Sequence, residues 1–128
     1  MSAVLPTGHE RVLVVDDDEA LRFSIAKLLR GLGYRVTVAE GPEVALGYLG
    51  DESGDFDLLV TDIRMPGMSG DELARTTRVR RPDLRVLYVS GESLAGLGQR
   101  VTEGRSRFLG KPFEVSQLAL MVREALEA

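Results

Sequence analysis

Residues 58–70 read Leu-Leu-Val-Thr-Asp-Ile-Arg-Met-Pro-Gly-Met-Ser-Gly, so that a short, mostly apolar run leads into a single carboxylate. The first part of this stretch has the length and composition of a buried strand. Pro66-Gly67 signals a turn, and Ser69 followed three residues later by Glu72 matches the capping box that begins many helices. The stretch therefore predicts a strand, a turn and a helix, with Asp62 at the point where the strand ends and meets solvent.

The chain on either side repeats this alternation of strand and helix. Short apolar or alternating runs predict further strands at 12–15, 35–39, 84–89 and 107–109. Helices are predicted from the acidic run capped by Asp18 to Gly31, from Gly41-Pro42 to Gly50, from Ser69 to about Arg80, near 94–101, and from about Val115 onward. Gly96 and Gly98 each weaken the helix near 94–101 by about 1 kcal/mol. This alternation favours an α/β fold in which helices cover both faces of a parallel sheet.

The composition indicates a single acidic domain without disulfide bonds. The chain has 128 residues and is predicted to form one domain over residues 11–128, preceded by a flexible tail over residues 1–10. A formal net charge of -4 gives no general attraction to nucleic acid or to an anionic membrane. Because there is no cysteine, signal peptide or long apolar run, we expect a cytoplasmic location without direct membrane contact. The single histidine, His9, lies in the tail, so a histidine needed for chemistry at a folded site would have to come from another protein or domain.

Polar side chains follow four of the predicted strands. Asp16 and Asp17 follow the first strand, Asp62 the third, Ser90 the fourth and Lys111 the fifth. Right-handed crossovers bring the carboxyl ends of parallel strands to one edge of the sheet, where ligands bind in open α/β folds. Clustered carboxylates favour a hard cation such as Mg²⁺, which also accepts phosphate oxygens, while lysine and serine supply a positive charge and a hydroxyl donor. The pattern predicts phosphoryl transfer to Asp62.

These segments resemble the receiver domain family of response regulators in two-component signalling. The resemblance runs from about Arg11 to Glu127 and rests on Val-Val-Asp-Asp at 14–17, the stretch at 61–70, Ser90-Gly91 and Lys111-Pro112-Phe113. It implies a flavodoxin-like (CheY-like) fold with five parallel strands in the order 2-1-3-4-5, flanked by five helices. Ser90 and Phe108 stand where the family commonly has threonine and tyrosine.

The resemblance also implies how the acceptor works. Asp62 would take a phosphoryl group from a phosphohistidine on a histidine kinase or a histidine phosphotransfer domain. Mg²⁺ or Mn²⁺ would be held by Asp16, Asp17, Asp62 and the backbone carbonyl of Arg64. The domain would be a signalling module rather than an enzyme, with at most metal-dependent self-phosphorylation and slow autodephosphorylation.

The same resemblance implies a switch at the last two strands. Ser90 and Lys111 would contact the phosphoryl group, and Ser90 and Phe108 would move together to change a surface that binds a downstream protein target. The Lys111–Pro112 peptide bond would be cis, which is mainly a property of bonds that precede proline.

Two side chains are candidates for a gate that controls the lifetime of the phosphoryl group. Arg64 lies two residues after Asp62, and Glu92 lies two residues after Ser90. Extended from adjacent loops, the two side chains could pair above the site and obstruct attacking water. An exposed pair contributes only about 0–1 kcal/mol, so this hypothesis concerns access rather than stability.

Other functions fit the sequence less well. An aspartyl phosphatase of the haloacid-dehalogenase family would carry Asp-x-Asp-x-Thr/Val after its first strand, whereas residues 16–20 read Asp-Asp-Asp-Glu-Ala. A nucleotide-binding protein is disfavoured because no glycine-rich phosphate loop appears. An interaction module that works without phosphorylation stays an alternative, although Asp17, Asp62 and Lys111 together argue against it. A stand-alone regulator and the receiver of a hybrid histidine kinase both agree with the sequence.

Overall fold

A computed structural model describes residues 4–50, 55–91 and 105–128 of the chain. Five parallel strands form one sheet in the order β2-β1-β3-β4-β5, with β1 (Arg11–Val15), β2 (Arg35–Ala39), β3 (Leu58–Thr61), β4 (Arg85–Ser90) and β5 (Ser106–Gly110). The described helices are α1 (Glu19–Gly31), α2 (Pro42–Leu49), α3 (Gly70–Arg78) and a C-terminal helix (Val115–Leu126). The predicted fold class and strand order are confirmed. The helix predicted near 94–101 lies outside the described residues.

Two helix ends differ slightly from their predicted positions. Helix α3 ends at Arg78 rather than at about Arg80, where the N–H of Arg80 donates to the Thr77 carbonyl three residues earlier, at 3.1 Å, and tightens the last turn. Gly31 is the last residue of α1 rather than its cap. The chain reverses two residues later at Gly33, whose φ of 101° lies in the left-handed region that glycine adopts without strain.

The sheet separates two apolar clusters. One cluster joins the face that carries Leu13 and Leu59 to α2 and α3, and includes Leu73. The other joins the face that carries Val12 to α1 and to the C-terminal helix, and includes Ile25. The central strands are therefore buried on both faces, as their continuous apolar runs predict. This packing fixes the carboxyl ends of the central strands side by side.

The segment that precedes β1 is attached to the C-terminal helix. The Arg123 guanidinium pairs with the Glu10 carboxylate, and it also donates to the Thr7 carbonyl at 3.2 Å and to the Tyr34 hydroxyl at 3.4 Å. The backbone N–H of Gly8 donates to the carbonyl of Leu32 at 3.1 Å. Hydrogen bonding from Arg123 lowers the pKa of Glu10 to about 2. Sequence patterns gave no sign of this pair, since its members are more than a hundred residues apart.

Glu10→Gln is expected to destabilise the domain by roughly 1–2 kcal/mol at neutral pH, because it removes a partly buried charge pair. Since the pKa of Glu10 is lowered in the folded state, its contribution is present above about pH 4.5 and is lost as the pH falls toward about 2. Urea unfolding between about pH 7 and about pH 3.5 should show the difference between wild type and variant shrinking with acidity. Glu124→Gln, which removes an exposed partner of Arg107, is the control and should cost less than about 1 kcal/mol. An equal effect of both substitutions would contradict this account.

Candidate functional site

Carboxylates from two central strands meet at the carboxyl edge of the sheet. Val15 and Thr61 are partners in the β1–β3 register, so Asp16 and Asp62 follow neighbouring positions on adjacent strands. One oxygen each from Asp16, Asp17 and Asp62 lies within 4.8 Å of the others. Asp16 is only 2% exposed, Asp62 is half-buried and Asp17 is exposed. The cluster is therefore anchored in the protein at one end and open to solvent at the other.

Asp16 is held in place by its neighbours. Its Oδ1 accepts the backbone N–H of Asp18 at 2.9 Å, and its carbonyl accepts Nη1 of Arg22 at 2.9 Å. Burial raises the pKa of Asp16, and the hydrogen bond from Asp18 and the charge of Lys111 oppose that rise. The Asp18 side chain accepts the Leu21 N–H at 3.2 Å, so the prediction that it caps α1 is confirmed. The contact of Arg22 with the Asp16 carbonyl was not predicted from the sequence, because nothing in the spacing distinguishes Arg22 from other arginines of α1.

Lys111 reaches two of these carboxylates. Its Nζ lies 3.2 Å from Oδ2 of Asp62 and 3.4 Å from Oδ2 of Asp16. Its backbone N–H donates to the Ser90 carbonyl at 2.8 Å, which ties the end of β5 to the end of β4. The peptide bond between Lys111 and Pro112 is cis. A compact ammonium thus offsets part of the negative charge concentrated at this edge.

The Asp62 carboxylate has a defined orientation. The backbone N–H of Ile63 donates to its Oδ1 at 2.7 Å, while Oδ2 faces Lys111. The Thr61 hydroxyl donates to the Asp62 carbonyl at 2.8 Å, and the Gly70 N–H donates to the Ile63 carbonyl at 2.7 Å. These contacts fix the strand end and the following loop. The Ile63 contact was not predicted from the sequence, because a backbone N–H donor is present whatever the residue type.

The remaining predicted site residues occupy less central positions. Ser90 ends β4 and is 2% exposed, and half-buried Phe108 packs against the apolar cluster on the α2 and α3 face. The Arg64 side chain is exposed. Glu92 lies outside the described residues, so the predicted gate pair stays a prediction.

The three clustered carboxylates fit a metal ion of the hard type. All three offer oxygen atoms, and their mutual repulsion would be relieved by a divalent cation. Asp16 is buried enough to have a raised pKa, which a bound cation would counteract. The site can therefore bind a divalent metal ion through one buried and two more accessible ligands.

Residues 12–123 match the response regulator receiver domain family, and the chain belongs to that family. It is 34% identical over 120 residues to the response regulator receiver protein CpdR of Brucella abortus, covering 93% of this chain and 98% of CpdR. It is also 34% identical over 122 residues to the sensor kinase CckA of the same organism, covering 94% of this chain but only 13% of that protein. It spans 30% of the Arabidopsis thaliana regulator ARR14.

Solved structures agree with this assignment. A receiver domain from Methanospirillum hungatei superposes with a TM-score of 0.83 at 30% identity, covering 94% of this chain and 95% of that one. Thermotoga maritima TrrA, solved with Mg²⁺-BeF, gives a TM-score of 0.81 at 30% identity, covering 91% and 98%. A receiver domain from a hybrid histidine kinase CckA gives a TM-score of 0.77 at 34% identity, covering 91% of this chain and 98% of that one.

The chain is therefore a phosphoacceptor domain of two-component signalling. Receiver domains take their phosphoryl group from histidine kinases or histidine phosphotransfer proteins. Within the described residues, no helix is both long and apolar enough to cross a membrane.

Proposed function

We propose that Asp62 is the residue that accepts the phosphoryl group, with Mg²⁺ as the resident cation. The observation that carries this proposal is the pair of contacts on its carboxylate. Oδ1 is held by the Ile63 N–H at 2.7 Å, and Oδ2 lies 3.2 Å from Nζ of Lys111. A carboxylate fixed at one oxygen and set beside an ammonium is suited to attack phosphorus while the ammonium interacts with phosphoryl oxygens.

The proposed step transfers one phosphoryl group between two proteins. An Asp62 oxygen forms a bond to phosphorus as the phosphorus–nitrogen bond of the donor phosphohistidine breaks. The bonding electrons return to the imidazole nitrogen, which takes up a proton from solvent. Lys111 supplies positive charge beside the acceptor, and the buried hydroxyl of Ser90 supplies a hydrogen bond to the transferred group.

The metal set proposed for Mg²⁺ consists of Asp16, Asp17, Asp62 and the backbone carbonyl of Arg64. When bound, the cation would neutralise negative charge on the transferring phosphoryl group. Mg²⁺ is favoured over softer metals because every proposed protein ligand is an oxygen atom, and it commonly keeps several waters in such sites. Mn²⁺ should be able to replace Mg²⁺, because it also binds oxygen ligands.

Labelling with a small-molecule phosphodonor tests the proposed function. Acetyl phosphate should add one hydroxylamine-labile phosphoryl group per chain in the presence of Mg²⁺, and incorporation should fall to background with EDTA. Failure to label under any metal condition would favour an interaction module that works without phosphorylation. Multiple turnover of unrelated phosphate esters would instead support the phosphatase alternative.

Asp17→Asn is expected to weaken Mg²⁺ binding by roughly tenfold or more, because it removes an anionic oxygen from the metal cluster. The shift of backbone amide resonances during a Mg²⁺ titration measures the affinity. Asp18→Asn provides a matched control, since it makes the same chemical change one residue away and asparagine caps a helix about as well as aspartate. Equal Mg²⁺ affinity in wild type and Asp17→Asn would remove Asp17 from the metal set.

Arg64→Ala is expected to shorten the lifetime of the phosphorylated domain by several-fold if the Arg64–Glu92 gate operates. The measurement is the decay of labelled protein after removal of the donor, and Glu92→Ala should have the same effect without adding to that of Arg64→Ala. Arg80→Ala, at an exposed arginine after α3, is the control. An unchanged decay rate in Arg64→Ala would reject the gate.

A further inference from the structure

A groove separates the start of α2 from the loop that follows Asp62. Its volume is about 350 Å³, and its walls include Pro42 and Leu46 on one side and Pro66 and Met68 on the other. Ligand-binding clefts in proteins commonly have volumes of about 300–1,000 Å³, and the groove lies at the lower end of that range. Methionine at the wall allows the shape to adapt, because its side chain is unbranched and flexible.

The apolar surface continues beyond the groove along α2. Val44, which borders the groove, is 39% exposed, and Tyr48 is 42% exposed one turn further along the helix. Residues four apart lie on the same face of a helix, so these two side chains form a strip that leads out of the groove. An extended segment could follow this strip with more than one apolar contact.

The charge at the groove is negative. Glu40 and Glu43 line it and are exposed, and neither forms a hydrogen bond or an ion pair through its side chain within residues 4–50, 55–91 and 105–128. The adjoining cavity shares Met68 and adds Arg64 and Glu72, whose charges offset one another. The apolar surface is therefore bordered by two carboxylates that are available to a cationic partner.

We propose that this groove, formed by residues 40–44, 46 and 66–68, binds a segment of a partner protein that carries an apolar side chain flanked by lysine or arginine. The apolar side chain enters between α2 and the loop, and the flanking cations pair with Glu40 and Glu43. Apolar contact supplies most of the affinity, and charge complementarity selects basic over acidic segments. None of the residues that line the groove belongs to the carboxylate cluster.

Selection from a phage-displayed library of random peptides tests this proposal, with the wild-type chain as bait and Glu40→Lys for counter-selection. Enriched peptides should share an apolar residue flanked by lysine or arginine. A synthetic copy should bind Glu40→Lys at least about tenfold more weakly than wild type, equivalent to about 1.4 kcal/mol. Met68→Gln should weaken the same peptide by several-fold, because it places a polar group in the wall.

Asp83→Lys is the matched control, since it makes the same change in net charge at an exposed position before β4 and should leave peptide affinity unchanged. Thermal unfolding and labelling by acetyl phosphate should be the same in Glu40→Lys as in wild type, which separates this test from that of Asp62. Failure to enrich any peptide, enrichment of acidic peptides, or equal binding to Glu40→Lys would overturn the proposal. So would sedimentation of the wild type as a dimer that Glu40→Lys converts to a monomer, because the groove would then be covered by a second copy.

Discussion

Asp62→Asn is expected to lower the rate of phosphoryl incorporation at least about a hundredfold, which corresponds to about 2.7 kcal/mol in the activation barrier. The amide is neutral and a poor nucleophile, so it can neither attack phosphorus effectively nor contribute negative charge to a metal site. Its carbonyl oxygen can still accept the Ile63 N–H, which contacts Oδ1 in the wild type. The loss of phosphoryl incorporation should therefore come from the poorer nucleophile and not from a change in the structure. The initial rate of labelling by acetyl phosphate measures it.

Asp83→Asn serves as the control for this substitution. Asp83 is exposed and precedes β4, at the opposite end of that strand from Ser90. Its conversion should leave the labelling rate unchanged, and both variants should unfold at the temperature of the wild type within a few degrees. A labelling rate in Asp62→Asn equal to that of the wild type would show that another group accepts the phosphoryl group.

Gly70→Ala is expected to destabilise the domain by about 3 kcal/mol, or roughly 10 °C in melting temperature. A Cβ at this position would lie 2.0 Å from the carbonyl oxygen of Asp62 and 3.1 Å from Cγ2 of Thr61. The obstacle is backbone rather than a flexible side chain, so α3 must move away from the end of β3. Thermal unfolding followed by circular dichroism measures the effect.

Gly47→Ala makes the same substitution in another helix, and we expect it to have the opposite effect on stability. Gly47 lies inside α2, and a Cβ there meets nothing within 4 Å among the described residues. Alanine should therefore stabilise the domain by up to about 1 kcal/mol, through helix propensity alone. If Gly70→Ala also stabilised the domain, the close approach of α3 to Asp62 would be wrong.

The fold could be predicted because its signals are local and agree with one another. The continuous apolar run of β1 requires burial on both faces, and the alternating run of β2 fits a strand at the edge of the sheet. The Ser69 cap and Pro42 at the start of α2 set helix starts within a residue. The end of α3 was predicted less accurately, because that end depends on which backbone N–H groups donate to the Thr77 carbonyl.

The site could be predicted as far as residue type and strand position carry information. Asp16, Asp17, Asp62 and Lys111 each follow the end of a strand, and parallel topology brings them together. Contacts made by backbone groups, such as the Ile63 N–H, have no signature in sequence. Long-range pairs such as Glu10 with Arg123 also escape prediction, because many arginines could have served equally well.

The residue that carries the phosphoryl group can be located by mass spectrometry. After labelling with acetyl phosphate and Mg²⁺, reduction with borohydride converts an aspartyl phosphate to homoserine, which tandem mass spectrometry can locate. We expect homoserine at position 62 in the tryptic peptide that ends at Arg64, and an unmodified peptide when Mg²⁺ is withheld. Homoserine at position 16 or 17, or a borohydride-stable phosphate on Ser90, would contradict it.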